Sequence, residues 1–176
     1  MDMPCRIHAL DADGAAARAG ELAEVLIDCV DGGASVSFMA PLAADKALAF
    51  WRGVADGVAR GDRVLLVAED DAGRLVGTVQ VVFAAPENQP HRADIAKMLV
   101  HRRARRRGLA ARLLAAAEAA ARDAGRRVLV LDTVTGSDAE RLYARCGWQR
   151  VGVIPDYALM PDGTLCATTV FFKSLR

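Results

Sequence analysis

The stretch of sequence that decides the fold reads KMLVHRRARRRGLA and covers residues 97–110. It begins at the end of an apolar candidate strand, Ala93 to Val100, and runs into the strongest helix-forming segment of the chain, Leu109 to Ala124. The start of a helix leaves backbone N–H groups unpaired and carries a partial positive charge, so it can bind a diphosphate. Gly108 lets the backbone approach phosphate oxygens, Ala110 keeps the first turn unobstructed, and the arginines attract the anion.

Charge alone leaves a second interpretation of this arginine run open, namely a solvated surface or a contact for RNA or an acidic partner. Against it stand the strand before the run, the helix after it, and the lack of an interleaved aromatic residue for base stacking. Neither G-x-x-x-x-G-K-[ST] nor G-x-G-x-x-G occurs, which excludes a Walker loop and the dinucleotide fingerprint. The remaining common phosphate ligand at such a junction is coenzyme A.

Length and composition indicate one ordinary domain, residues 1–176, and set limits on its partners. The net charge is +1, from 23 basic and 22 acidic residues, so we expect neither nucleic acid nor membrane as a partner. No apolar run approaches the roughly 20 residues that span a bilayer, and we see no signal peptide, so we expect a cytoplasmic protein. The cysteines are far apart and form no C-x-x-C pair, which argues against a metal site or a disulfide framework.

The remaining patterns predict a mixed α/β (α+β) domain with the order β α α β β β α β α β β. The predicted strands are Arg6–Leu10, Val64–Ala68, Leu75–Phe83, Ala93–Val100, Val128–Leu131, Gln149–Ile154 and Thr168–Lys173. The predicted helices are Ala15–Val30, a second from an Asp45 N-cap to Val58, Leu109–Ala124, and a short one capped by Ser137 and Glu140.

Two of these strands carry further expectations. Ala93–Val100 is expected to alternate, with Asp94, Ala96 and Met98 on one face and Ile95, Lys97 and Leu99 on the other. Val128–Leu131 is a continuous apolar run, typical of a strand covered on both faces.

At Arg105-x-x-Gly108-x-Ala110 the chain resembles the GNAT superfamily of N-acetyltransferases, whose signature at a strand-to-helix junction is [QR]-x-x-G-x-[GA]. The element order extends the resemblance over nearly the whole chain. Further blocks resemble more narrowly the tabtoxin-resistance acetyltransferases of that superfamily, and they lie at residues 32–39, 131–133, 136–137 and 150–173. The resemblance implies a GNAT-like fold, with a central mixed, mostly antiparallel sheet flanked by helices, and acetyl-CoA as the cofactor.

The resemblance also implies which residues hold the cofactor. The pantetheine arm would pair with the strand at Met98, Leu99 and Val100, and the diphosphate would lie on the amides of Arg105, Arg106, Arg107, Gly108, Leu109, Ala110 and Ala111. Arg106 stands where relatives often have glycine, so a positive φ angle there would carry strain of order 1 kcal/mol. Gly136 stands where many relatives have asparagine, and Ser137 would take over its contact with the pantetheine.

For catalysis the resemblance places Tyr143 at the position of the family's general acid, beside the cofactor. The base is left open between Asp94 and Asp132, with Glu69 as a third choice, because an apolar context raises a carboxyl pKa from about 4 toward the working range. No metal is expected, and a monomer and a homodimer both remain open.

The acceptor would be a small-molecule primary amine, such as an amino-acid-like toxin or antibiotic. We expect it to contact Ser35, Phe38, Glu69, Asp94 and Asp132, with loop 86–92 as a further wall. The alternatives are acetylation of proteins or peptides, and a non-catalytic module that binds acyl-CoA or RNA.

Overall fold

The computed structural model describes residues 5–175, which form one seven-stranded sheet with helices on both faces. The strands are β1 Arg6–Leu10, β2 Arg63–Glu69, β3 Leu75–Phe83, β4 Arg92–Val100, β5 Val128–Val134, β6 Gln149–Leu159 and β7 Leu165–Ser174. The helices are α1 Ala12–Ala17, α2 Ala19–Asp31, α3 Ala44–Ala59, α4 Leu109–Asp123 and α5 Asp138–Arg145, with a 3-10 turn at Arg102–Ala104.

The strand order is β1-β2-β3-β4-β5-β7-β6, and every neighbouring pair is antiparallel except β4 and β5. The predicted mixed α/β class and the mostly antiparallel sheet are therefore confirmed. Two hydrophobic cores hold the helices to the sheet. One lies under α4 and includes Leu113, Leu129 and Phe171, and the other lies under α2 and α3 and includes Leu26 and Trp51.

Helix α4 shows how the sequence pattern produces the packing. Its buried leucines and alanines recur at Leu109, Leu113, Ala117 and Ala121, four residues apart, so they form one stripe against the sheet. Each fully buried leucine adds roughly 1.5–3 kcal/mol to the free energy of unfolding. The prediction of a helix at Leu109–Ala124 is right to within one residue.

The predicted helix at Ala15–Val30 is wrong in one respect, because it is two helices that meet at Arg18. Asp11 caps α1 by accepting a hydrogen bond from Gly14 N at 2.7 Å. The break at Arg18 turns its guanidinium toward Glu21 and Glu69, and both carboxylates bind it. These ion pairs stabilise a bend that apolar spacing alone does not show.

The predicted N-cap of the next helix is also corrected. Helix α3 begins one residue before Asp45, and its N-cap Ala43 makes no side-chain hydrogen bond. Asp45 lies in the first turn, where its negative charge is favourable beside the helix dipole.

The last three strands extend beyond their predicted limits. Strand β5 continues to Val134 because its ladder with β7 continues to the pair Val134–Thr168. Only one face of its apolar run is fully covered, since Leu129 is buried whereas Val128 and Val130 are half-buried. Strands β6 and β7 are joined by a tight turn, in which Gly163 N donates to the Met160 carbonyl at 2.9 Å.

Strand β4 departs from the predicted alternation after Ala96. Gln80 pairs with Ala96 but Thr78 pairs with Leu99, so Lys97 and Met98 together oppose a single residue of β3. This is a β-bulge, and Lys97 takes a φ angle of 48° within it. The extra residue moves Leu99 to the core under α2 and α3, whereas Ile95 belongs to the core under α4. The expectation that Ile95, Lys97 and Leu99 share one face is therefore wrong.

Strands β4 and β5 pair over a short stretch and then separate. Their register pairs Arg92–Asp94 with Val128–Val130, and no pairing between them follows in the described chain. Beyond this point β5 is bonded to β7 and β4 to β3, so the edges of β4 and β5 that face each other have no strand between them. The sheet thus opens near its centre, at Ile95–Val100 on one side and Leu131–Val134 on the other.

Candidate active site

Two adjoining cavities lie at this opening. The inner cavity, of about 350 Å³, is lined by β4, the end of β5, helix α5 and the loop after α2. The outer cavity, of about 390 Å³, lies between that loop and the β6–β7 hairpin. Ser35, Ser37 and residues 132–134 line both. The two cavities therefore meet at the end of β5.

The loop between α2 and α3 borders both cavities. Ser35 Oγ donates a hydrogen bond to the Leu159 carbonyl at 2.9 Å, and Ala40 N donates to the Pro161 carbonyl at 3.1 Å. Both acceptors belong to the β6–β7 hairpin or its turn. The loop is thus held against the hairpin beside both cavities.

The start of α4 has the backbone that the sequence predicted for a phosphate loop. Gly108 is its N-cap residue, with φ 70°, and no side chain caps the helix. No atom lies within 4 Å of a Cβ placed on Gly108, so there is open space in front of it. Arg106 has a φ angle of 62°. This is the strained, left-handed conformation expected if an arginine stands where relatives often have glycine.

The arginines before α4 divide into two groups. Arg102 binds Asp28, Arg103 donates to the Leu75 carbonyl at 3.1 Å, and Arg105 Nε donates to the Val100 carbonyl at 2.9 Å. Arg106 and Arg107 make no hydrogen bond or ion pair with any residue between 5 and 175. Only the last two arginines are thus uncommitted and able to meet an anion.

The end of β4 leaves the Val100 N–H facing the opening. His101 N donates to the Val76 carbonyl at 2.9 Å, so His101 and Val76 form a hydrogen-bonded pair. In an antiparallel ladder the preceding pair, Val100 and Gly77, then points its backbone groups away from each other. Arg105 already occupies the Val100 carbonyl, so at Val100 the N–H is the group left for a ligand.

Helix α5 begins as the sequence predicted. Ser137 Oγ accepts a hydrogen bond from Glu140 N at 3.1 Å. The Glu140 carboxylate accepts one from Gly136 N and another from Thr169 Oγ1, the latter at 2.8 Å. These bonds fix the short helix against β7 and orient its Tyr143 toward the inner cavity, which Ser137 also lines.

Tyr143 lines the inner cavity from an apolar wall. It is 5% exposed, and its ring lies 6.0 Å from the rings of both Trp148 and Phe171, measured between centroids. Burial first, and the negative charge of Asp132 second, raise the pKa of Tyr143 to about 12. The hydroxyl therefore keeps its proton at neutral pH.

Of the three candidate carboxylates, the structure brings only Asp132 to the cavities. Asp132 lines both of them, and its Oδ2 accepts a hydrogen bond from Thr168 Oγ1 at 2.8 Å. Its Oδ1 has no hydrogen-bond partner among residues 5–175 and is available to a ligand.

The other two carboxylates are placed elsewhere. Asp94 lines neither cavity, because the opening of the sheet begins only after Asp94 along β4. Its carboxylate pairs with Arg92 at 2.6 Å. Glu69 is 7% exposed at the end of β2, where Arg6 and Arg18 bind it. The hydrogen bond from Arg6 is the main cause that lowers the pKa of Glu69. Because Arg6 and Arg18 both bind this carboxylate, Glu69 supports the fold.

Some of the residues predicted to contact the substrate amine line the cavities and others do not. Ser35 and Phe38 line the outer cavity, as does Asp132, whereas loop 86–92 contributes to neither cavity. That loop follows β3 at the paired end of β4, away from the opening. The wall that the sequence assigned to it is supplied instead by the β6–β7 hairpin.

Lys97 is the residue of the site that sequence reasoning missed. It lines the inner cavity, and its Nζ donates to Ser37 Oγ at 3.1 Å and lies 5.6 Å from the centre of the Phe50 ring. Burial lowers the pKa of Lys97, and the charge of Asp132 partly opposes that effect. The one sequence signal was a charged residue within an otherwise apolar half of β4.

Within residues 5–175, no three His, Cys, Asp or Glu side chains are grouped so as to hold a metal ion. No helix of the described chain has both the length and the apolar character needed to cross a membrane.

Replacing Gly108 by alanine should lower the free energy of unfolding by about 1 kcal/mol, because a side chain is disfavoured at φ 70°. Gly53 is a matched control, since it lies exposed inside α3 with no atom within 4 Å of a Cβ. Gly53→Ala should raise the free energy of unfolding by about 0.5–1 kcal/mol. Urea denaturation measures both, and a loss of equal size at the two positions would contradict the role given to Gly108.

Comparison with known proteins adds a family and a relative. A sequence model of the acetyltransferase (GNAT) family matches residues 36–148. An uncharacterized N-acetyltransferase in the hisH-hisA intergenic region of Azospirillum brasilense is 36% identical over 114 residues, which are 64% of this chain and 66% of that protein. The chain thus spans just under two thirds of the curated relative's length.

Solved structures share the architecture. The yncA protein of Salmonella typhimurium, solved with its cofactor acetyl-CoA, superposes with a TM-score of 0.80 at 19% identity, over 98% of this chain and 95% of that one. Ribosomal-protein-alanine N-acetyltransferase from Brucella melitensis superposes with a TM-score of 0.80 at 20% identity, over 96% of this chain and 99% of that one. At these identities the likeness is one of fold, and it confirms the predicted architecture.

Proposed function

Because this chain belongs to the acetyltransferase (GNAT) family, we propose that it transfers the acetyl group of acetyl-CoA to the primary amine of a small molecule. The observation that carries this proposal is that Asp132 and Tyr143 line the same cavity at the opening of the sheet. One is a carboxylate with a free oxygen, and the other is a hydroxyl that holds its proton. A base and an acid are the two groups that amine acylation needs.

The backbone around α4 fits acetyl-CoA. The helix start is uncapped, open space lies in front of Gly108, and Arg106 and Arg107 have no partner among residues 5–175. Together these features suit a diphosphate. The Val100 N–H faces the opening, where an extended arm could pair with the edge of β4.

Acetyl-CoA supplies an activated thioester when it is bound. In the proposed reaction Asp132 Oδ1 takes a proton from the ammonium of the acceptor, which frees its lone pair for attack. The Tyr143 hydroxyl would give its proton to the departing sulfur. The second proton that the nitrogen loses as the amide forms would pass through water to the tyrosinate and restore its hydroxyl. One of the β4 backbone N–H groups at Met98 to Val100 would donate to the oxygen on which negative charge develops.

The limited volume of the two cavities, about 390 and 350 Å³, favours a small acceptor. The loop that Ser35 and Ala40 tie to the β6–β7 hairpin borders these cavities, and the Asp132 side chain is exposed beside it. The fold itself does not select the acceptor, since a ribosomal-protein-alanine N-acetyltransferase shares it. The blocks that resemble tabtoxin-resistance acetyltransferases lie around this cavity, at residues 32–39 and 131–133, so we favour an amino-acid-like toxin or antibiotic.

We also assign the protein to the cytoplasm and away from nucleic acid. Its four cysteines are unpaired thiols, which suits a reducing compartment. Its net charge of +1 provides no general attraction to RNA.

Release of free thiol from acetyl-CoA tests the function, with amino acids, amine antibiotics and short peptides as acceptors. Turnover of small amines is the expected result. Turnover of peptides alone would move the activity to protein acetylation. Calorimetry with acetyl-CoA and with a short RNA completes the test, and binding of RNA alone would overturn the enzymatic proposal.

Replacing Arg106 and Arg107 together by alanine should weaken acetyl-CoA binding about 10-fold, because charge-assisted contacts with a phosphate are lost at an exposed site. The loss should shrink at high salt, since exposed charges are screened. Arg122→Ala is the control, because this arginine lies in the last turn of the same helix. Calorimetry at two salt concentrations measures the effect, and equal losses in the two proteins would contradict the assignment.

A further inference from the structure

We propose that the acceptor is a zwitterionic amino acid, with its carboxylate bound by Lys97 and its amine placed at Asp132. This inference rests on the proposed function and names the class of substrate within it. It follows from the charges that line the two cavities, from the contacts of Lys97, and from the backbone that carries Lys97.

Lys97 and Asp132 are the charged residues that line the two cavities within the described chain. They lie on opposite sides of the opening, Lys97 on β4 and Asp132 on β5. A free amino acid carries an ammonium and a carboxylate on the same carbon. A cavity with one positive and one negative wall complements that pair of charges, whereas an amine without a carboxylate would leave Lys97 unmatched.

The surroundings of Lys97 Nζ suit a cation that awaits an anion. Ser37 Oγ accepts a hydrogen bond from it, and the face of Phe50 lies within cation–π distance. No carboxylate of residues 5–175 lies within ion-pair distance of it, although the side chain is half-buried. A half-buried charge without an ion-pair partner is unfavourable, and a bound carboxylate would supply that partner.

The backbone directs Lys97 into the cavity at a cost in strain. The bulge in β4 gives Lys97 a φ of 48°, a conformation that glycine adopts freely and other residues rarely adopt. Because of the extra residue, Lys97 does not share the buried face of Ile95, and its ammonium lies at the inner cavity instead. Strained residues of this kind cluster at functional sites.

The outer cavity indicates where the side chain of the amino acid would lie. Its lining includes the apolar residues Phe38, Met39, Tyr157 and Leu159, and its only charged group in the described chain is the shared Asp132. An apolar or weakly polar side chain fits that lining.

The test compares L-leucine, L-methionine and L-phenylalanine with their carboxamides, which keep the amine and remove the negative charge. In the wild-type protein kcat/KM should be at least about 10-fold higher for the acids. Lys97→Met should lower kcat/KM for the acids about 10- to 100-fold more than for the amides, mainly through KM. Comparing the two proteins on the same acceptors cancels differences in the intrinsic reactivity of the amines.

Three further variants separate binding from folding. Lys97→Arg should retain part of the preference for the acids, and Lys97→Gly should lose it without unfolding earlier, because glycine accepts the bulge conformation. Lys46→Met removes a neighbouring lysine that lies over the Phe38 ring and lines neither cavity, and it should keep the preference.

The outcomes distinguish this inference from the function on which it rests. Turnover of amines with no preference for the acids, or equal losses on acids and amides in Lys97→Met, would overturn the role of Lys97. If no amine is acetylated, the proposed function fails, and thermal shifts with coenzyme A and each acceptor then decide. Stabilisation by the acids that Lys97→Met abolishes would support the carboxylate site, and equal stabilisation by acids and amides would overturn it.

Discussion

Replacing Tyr143 by phenylalanine should lower kcat by about 100-fold or more and leave the affinity for acetyl-CoA within about twofold, because general-acid groups contribute on that scale. Phenylalanine keeps the ring contacts with Trp148 and Phe171 and removes only the hydroxyl at the inner cavity. Thiol release measures kcat, and calorimetry measures the affinity. An unchanged melting temperature would show that the loss belongs to chemistry and not to packing.

The pH dependence provides the matching control. A group whose pKa is raised to about 12 stays protonated throughout the neutral and mildly alkaline range, so Tyr143 keeps its proton up to about pH 11. The rate should not fall on the alkaline side through loss of that proton. A fall in the wild-type rate between about pH 8 and 10 that Tyr143→Phe removed would contradict this prediction. The pKa of Tyr143 would then lie far below the value that its burial gives.

Replacing Asp132 by asparagine should lower kcat/KM by about 100-fold or more at neutral pH, the other large effect that we expect. Asparagine preserves the size of the side chain and can still meet Thr168, but it cannot take a proton from an ammonium. Raising the pH should restore part of the rate, because more of the acceptor then arrives as the neutral amine.

Two variants control for the loss of a carboxylate in general. Asp94→Asn removes the rival candidate, whose side chain pairs with Arg92 outside both cavities, and Asp138→Asn removes an exposed carboxylate on α5. Both proteins should remain close to wild type in kcat/KM. A large loss in Asp94→Asn with a small loss in Asp132→Asn would transfer the role of base to Asp94.

The strand-to-helix junction could be predicted from the sequence because its signals are local. The alanine- and leucine-rich run fixes α4, and Gly108 fixes its start, so the loop between strand and helix had few alternatives. The strain at Arg106 could also be anticipated, since it follows from the type of a single residue. The capping of α5 by Ser137 has the same local origin.

The composition of the cavity could not be predicted, because it depends on register between distant strands. Whether Asp94 or Asp132 reaches the opening is decided by where β4 and β5 stop pairing, and no residue marks that point. The role of Lys97 depends on a bulge that arises from the pairing of β4 with β3. The ion pairs that hold Glu69 away from the cavities could not be predicted, because its partners Arg6 and Arg18 are distant in sequence.

The short pairing of β4 with β5 has a mechanical consequence. The sheet consists of two halves, β1 to β4 and β5 to β7, whose direct register in the described chain covers only Arg92–Asp94 and Val128–Val130. Such a sheet lacks part of a strand, and a ligand arm lying along β4 would act as that strand. Occupancy of the gap would then join the two halves into one cooperative unit, so the cofactor would serve as a structural element as well as a reactant.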